Sequence, residues 1–148
     1  MSITFVLSEE QEMIREAARE FADQVIRPAS VHHDLTGEYP WEVLRQAWEA
    51  GLMNTHITEQ YGGSGMNCMD GMLIAEEIAW GCSGIGTAME ANGLAQQPVI
   101  IGGSDFLQKK YLEPMVSDLG DQGRPIMCAY AVTEPGAGSD VAAMKTSA

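Results

Sequence analysis

Helix start signals, each followed by apolar residues three and four apart, recur from Ser8 to Leu112 and then stop. That rhythm constrains the fold more than any other feature. Residues at i, i+3, i+4 and i+7 share one face of a helix, whereas a strand would split them between both faces. Ser8 can cap the first helix while Gln11, three residues on, returns the bond as in a capping box, and Glu9 and Glu10 suit the positive end of the helix dipole. Ile14, Ala17, Ala18, Phe21, Ala22 and Val25 then form the apolar stripe. Pro28 lacks an amide donor and restricts Arg27, so the helix is expected to end or kink there.

Further helices follow from the same reasoning. Pro40 opens a second helix, with Val43, Leu44, Ala47 and Trp48 inward and Gly51 at its end. The run Tyr61-Gly62-Gly63-Ser64-Gly65 reads as loop, since each glycine costs nearly 1 kcal/mol against alanine in a helix. A third helix is expected from about Asp70 to Trp80, with Met72, Leu73, Ile78 and Ala79 apolar. A fourth follows Ser83 through Ile85, Ala88 and Met89 to about Leu94. Pro98 is expected to open a short helical segment, and Ser104 to cap another carrying Phe106, Leu107, Tyr111 and Leu112. Residues 117–125 are rich in turn formers. Ile126 to Thr133 is then a short apolar run bounded by turn signals, compatible with a buried strand, and Glu134 to Asp140 leaves it as a loop.

Composition narrows the function. Eight Lys+Arg against 21 Asp+Glu give a formal charge of −13, which repels a phosphate backbone and disfavours nucleic acid as a partner. The local pair Lys109-Lys110 reads as a solvated helix end rather than a phosphate site. Cys68, Cys82 and Cys128 lie far apart with no C-x-x-C and no neighbouring histidine, so neither a zinc site nor a disulfide framework is suggested. His32-His33 is an adjacent pair whose side chains diverge on a helix, which makes a poor metal site. The start Met1-Ser2-Ile3-Thr4-Phe5 has no transit-peptide character, and no segment approaches the ~18 apolar residues of a membrane span.

One segment bears on chemistry, Tyr130-Ala131-Val132-Thr133-Glu134-Pro135-Gly136-Ala137-Gly138-Ser139-Asp140. An extended run that ends in a hydroxyl residue and enters a turn with two glycines exposes backbone amides and lets a flat or phosphorylated ligand approach closely. It is not the G-x-G-x-x-G of a dinucleotide fold, because the strand, loop and helix unit is missing. On these residues alone an ordinary turn is the simpler reading.

As a whole, the segment resembles the T-E-P-x-A-G-S-D signature of the acyl-CoA dehydrogenase family, and the resemblance is closest to the medium-chain type. Gly37-Glu38-Tyr39-Pro40, Gly51-Leu52-Met53-Asn54-Thr55-His56-Ile57, Tyr61-Gly62-Gly63 and the helix with Glu76-Glu77-Ile78-Ala79 resemble that family in order and spacing. The resemblance implies an all-α N-terminal helical domain of about six helices over residues 1–125, followed by the first strand or strands of a truncated middle β domain over residues 126–148. It implies FAD as cofactor, with Tyr130, Val132 and Thr133 contacting the flavin, and Ser139 at the boundary of FAD and acyl-CoA, touching both. Glu90 and Thr87, with Gly86, are placed near the acyl tail, in a slot between helices. A carboxylate there is expected to be neutral or solvated, while Glu134 and Asp140 read as structural, bonding local amides.

The implied reaction oxidises fatty acyl-CoA thioesters to trans-2-enoyl-CoA in fatty acid β-oxidation, with electron-transfer flavoprotein as redox partner and a homo-oligomeric assembly. The family's glutamate base belongs to a later domain, so no catalytic residue is assigned in this chain, its FAD site is expected to be incomplete, and residues 1–148 are expected to be inactive alone. The implied compartment is the bacterial cytoplasm or the mitochondrial matrix. Ala131 stands where the family often has cysteine, and the Tyr111 to Met127 stretch is longer than usual. A competing reading is a free-standing helical self-association or interaction module derived from that family.

Overall fold

The computed structural model describes residues 6–147, so the reading of Met1 to Phe5 lies outside the described residues. Ser8 forms the expected capping box: its hydroxyl accepts the Gln11 amide at 3.2 Å, and the Gln11 side chain accepts the Ser8 amide at 3.1 Å. Helix α1 (Glu9–Phe21) runs through a π-helical turn (Ala22–Ile26) directly into α2 (Arg27–Thr36). Pro28 therefore does not end the helix. The Arg27 amide donates five residues back to the Ala22 carbonyl, and this widened turn lets the ladder pass over the donor that Pro28 lacks. Ala18, Ala22 and Ile26, spaced by four, are fully buried, while Ala17, expected inward, is exposed.

Helix α3 (Trp41–Glu49) buries Val43, Leu44 and Ala47 as expected, and Gly51 beyond it takes φ 71, which glycine adopts most readily. Helix α4 (Cys68–Gly81) begins at Asn67, whose side chain accepts the amides of Met69 and Asp70. It packs against both α1 and α5 (Ser83–Gly102). Of its apolar residues Met72 and Ala79 are exposed, and Leu73, Ile74 and Ile78 supply the buried face.

Helix α5 is longer than the sequence suggests, because Pro98 lies inside it rather than opening a new one. Its first half is fixed by Ile85 and Met89 in one apolar cluster, and its last turns by Val99 and Ile100 in another. Packing at both ends offsets the bond lost at Pro98. Ser104 caps α6 (Asp105–Tyr111) as expected, and α7 (Glu113–Ser117) follows.

The larger cluster joins Ala18, Ala22, Ile26, Leu44, Ile74, Ile78 and Met89, and the smaller joins Ile57, Tyr61, Leu112 and Met115. The fold is mostly helical. Among the described residues no strand forms over 126–133; there are only single bridges, between Leu119 and Pro125 and between Glu134 and Ala137. The apolar run is extended, but a strand needs the amides and carbonyls of a neighbouring strand, and none lies beside it. No helix of the described residues is long and apolar enough to cross a membrane.

Candidate functional site

Two faces of α5 do different work. Ile85, Met89, Asn92 and Gln96, spaced by four, three and four, point into the protein and are buried. On the other side Ser83, Gly86, Thr87, Glu90, Ala91 and Leu94 face Ala75 and Ala79 of α4 across a mainly apolar open groove of about 380 Å³. Small residues on both helices make the groove possible. A Cβ at Gly86 would lie 3.5 Å from the Ala79 backbone and 3.3 Å from the Ile78 side chain.

The structure thus brings Gly86, Thr87 and Glu90 together, as the sequence suggests. The Thr87 hydroxyl donates to the Ser83 carbonyl at 2.8 Å, leaving its lone pairs as the remaining polar capacity. Burial of its carboxyl among the apolar groove atoms raises the pKa of Glu90, and the charge of His56 opposes that rise. His56 itself is held by a 3.0 Å bond between Nδ1 and the Met66 carbonyl. Because a carbonyl only accepts, Nδ1 carries the proton there. A larger cleft of about 670 Å³ lies on the outer face of α1 between Arg15, Arg19, Glu77 and Trp80, but its lining mixes both charge signs and contains none of the predicted site residues.

Tyr130 and Thr133 are exposed and Val132 is half-buried. No hydrogen bond among the described residues uses the backbone of residues 130–133. An extended segment with free amides, free carbonyls, a phenol and a hydroxyl fits a flat cofactor that carries acceptors and donors along its edge, so these residues suit a flavin. Ser139 is also exposed, but it is not among the residues that line the groove, so the described residues do not bring it to Thr87 and Glu90.

Glu134 behaves as a structural carboxylate, as expected. It accepts the Lys145 amide at 2.9 Å, the Thr146 amide at 2.8 Å and the Thr146 hydroxyl, and these bonds lower its pKa. Among the described residues no such bond involves the Asp140 side chain; its backbone carbonyl accepts the Ala143 amide at 3.1 Å. His32 and His33 both turn to Glu38, at 2.9 Å to its carboxylate and 2.8 Å to its carbonyl. Among the described residues no group of three or more His, Cys, Asp or Glu could hold a metal ion.

Sequence reasoning missed a buried amide network. Asn54, at φ 60, donates to the Met115 carbonyl at 2.8 Å, and Trp48 Nε1 donates to the same oxygen at 2.6 Å. The Asn54 side-chain oxygen accepts Asn92 at 2.8 Å and Gln96 at 2.6 Å. Asn92 in turn accepts the Cys128 amide at 2.8 Å. The signal was available: Asn92 and Gln96 fall in phase with Ile85 and Met89, and polar residues on a buried stripe need partners.

Comparison with known proteins places the chain in a family. The family described as "Acyl-CoA dehydrogenase, N-terminal domain" matches residues 8–118. The chain is 42% identical over 144 residues to a probable medium-chain specific acyl-CoA dehydrogenase 2, mitochondrial, of Caenorhabditis briggsae, covering 97% of this chain and 34% of that protein. A chain from a structure of the electron transferring flavoprotein of Acidaminococcus fermentans superposes with a TM-score of 0.84 at 29% identity, over 97% of this chain and 36% of that one. The acyl-CoA dehydrogenase of Bacillus anthracis complexed with FAD superposes with a TM-score of 0.81 at 30% identity, over 94% of this chain and 23% of that one. The chain therefore spans about a third of the length of the curated relative and less of some solved structures. With the family match running through α1 to α7, this chain belongs to the acyl-CoA dehydrogenase family of oxidoreductases, whose N-terminal helical domain it represents.

Proposed function

We propose that residues 1–148 form the N-terminal wall of an FAD-dependent acyl-CoA dehydrogenase that converts fatty acyl-CoA thioesters to trans-2-enoyl-CoA. The observation that carries this reading is the apolar groove between α4 and α5, which holds Thr87 and Glu90 together as a slot for an alkyl tail requires. In this reading residues 1–125 are the helical domain, and 126–148 open a β domain in which the Ile126 to Thr133 run gains a strand partner. Tyr130, Val132 and Thr133 border the flavin, and Ser139 meets both flavin and thioester once further chain closes over the groove. Bound FAD would accept the hydride that leaves the substrate β carbon. The chain's own residues bind and orient: the groove excludes water from the tail, and the free amides of 130–133 offer donors to the edge of the cofactor. The α proton requires a carboxylate base; Glu134 is engaged by Lys145 and Thr146, and in this reading the base comes from a later domain of the family, which leaves residues 1–148 by themselves inactive.

Electron-transfer flavoprotein as acceptor, a homo-oligomeric assembly, and a bacterial cytoplasmic or mitochondrial matrix location belong to the same reading. The test joins residues 1–148 to the C-terminal two thirds of the Caenorhabditis briggsae relative. The chimera is expected to purify yellow and to bleach with octanoyl-CoA, with Thr87 and Glu90 substitutions altering the chain-length profile, while residues 1–148 alone do neither. A folded chimera that holds flavin but does not bleach with any acyl-CoA would overturn the substrate assignment.

A further inference from the structure

Asn92 is fully buried on the core side of α5, and each polar atom of its side chain has a partner. Its oxygen accepts the Cys128 amide at 2.8 Å and the Cys128 thiol at 3.1 Å; its nitrogen donates to Asn54 at 2.8 Å and to the Ile126 carbonyl at 3.3 Å. Three elements meet on one carboxamide: the loop after α3, the helix that lines the groove, and the segment that reaches Tyr130 two residues later. A buried amide adds little net stability over an apolar group of the same shape, yet only an amide can accept from one segment and donate to another with fixed geometry. Thr87 and Glu90 lie within about a turn and a half before it, on the opposite face of the same helix.

We propose that Asn92 is a positioning residue that fixes the register of Tyr130 to Thr133 relative to the groove of Thr87 and Glu90, and so sets the spacing between bound acyl chain and cofactor. This rests on the reading of groove and segment given under Proposed function.

The thiol of Cys128 reports the clamp without flavin or substrate. It is half-buried and bonded to Asn92, while Cys82, half-buried where α4 meets α5, reports loosening of the main core. With exposed Cys68 changed to Ser, labelling of both thiols by an aromatic disulfide is followed in residues 1–148. Asn92→Leu is expected to raise the Cys128 to Cys82 rate ratio about tenfold or more, because the segment opens locally. Asn92→Asp supplies a second variant. Below its pKa the acid donates to Asn54 and restores a low ratio, and above it the ionised form cannot donate and the ratio rises.

Equal acceleration at both thiols, or an unchanged ratio, would overturn the clamp whatever the fate of the enzymatic reading. In the flavin-binding chimera, Asn92→Asp is expected to lower kcat by about tenfold or more at neutral pH with KM little changed, as misplacement of reacting groups does. A raised thiol ratio with unchanged kcat would show that Asn92 holds the segment without positioning anything for the reaction.

Discussion

Asn54 donates to the Met115 carbonyl at 2.8 Å from a backbone in the left-handed region, which ties the loop after α3 to α7. The same side chain accepts from Asn92 and Gln96, so it is the node of the buried network. Asn54→Ala removes the acceptor of two buried donors, each costing about 1–3 kcal/mol when unmatched, and places a Cβ at positive φ without the local hydrogen bonding that suits asparagine. A loss of about 3–5 kcal/mol is expected, the top of the usual range for one substitution. Asn54→Gly relieves the backbone and should recover about 1 kcal/mol of it. Urea denaturation of the two variants measures both parts, and equal stability would show that the backbone contributes nothing.

Gly71 of α4 makes room for His56, since a Cβ there would come within 2.6 Å and 2.8 Å of two imidazole ring atoms. Alanine favours a helix by about 1 kcal/mol over glycine, but at Gly71 the ring would have to leave its bond to the Met66 carbonyl. Gly71→Ala is therefore expected to destabilise. Gly84, whose Cβ would find only the Cys82 sulfur at 3.9 Å, should stabilise by up to about 1 kcal/mol on the same change. Thermal melts of the pair should move in opposite directions; a rise for both would show that the His56 ring yields without cost.

The legible parts of this fold are those in which one short stretch decides the outcome. The Ser8 and Gln11 capping box, the Pro40 start, the Gly51 stop and the Ser104 cap are local bonds between neighbours, and each forms. Pro98 was misread because its cost is local, while the packing that offsets it joins Val99 and Ile100 to residues far away in the chain, Ile57, Tyr61 and Leu112. Residues 126–133 carry strand composition without strand pairing, since pairing needs a neighbour that composition does not supply. Thr87 and Glu90 were placed near the acyl tail by the family resemblance alone, and they line one groove because residues three apart on a helix share a face. The Asn54, Asn92 and Gln96 network escaped notice because its members lie 38 and 42 residues apart.

Arg19 Nε lies 2.5 Å from the Glu77 carboxylate, which is almost wholly buried, and the Arg19 guanidinium also covers the Trp80 ring at 3.8 Å. The approach does not satisfy hydrogen-bond geometry, so charge and stacking hold the pair. Removing the arginine strands a buried carboxylate, which costs about 3–5 kcal/mol at a fully buried site. Arg19 is partly exposed and solvent screens the pair, so Arg19→Ala is expected to cost about 1–3 kcal/mol, and Glu77→Gln less. Chemical denaturation of the two single variants and the double variant yields the coupling. A coupling of zero would assign the whole effect to the Trp80 contact.

Glu90 gives the groove a pH dependence whose sign is fixed by burial. Burial raises its folded pKa above the unfolded value, so the proton is bound more tightly in the folded chain. Below the unfolded pKa both states are protonated and the residue costs nothing. As pH rises through the unfolded and then the folded value, ionisation costs the folded state more, and stability is lost across that window. Glu90→Gln should therefore be the more stable chain at neutral pH and equal to wild type in acid, after correction for the other carboxylates. Because Glu90 is more than a third exposed in this chain, the difference should stay near the ~0.5 kcal/mol typical of surface sites. Closing the groove with an acyl-CoA tail removes more water from the carboxyl and should raise its pKa further. Carboxyl titration by NMR, with and without octanoyl-CoA on the chimera, reads that second shift. A fall in the Glu90 pKa on binding would mean that the tail draws a cation or water toward the carboxylate instead of apolar surface.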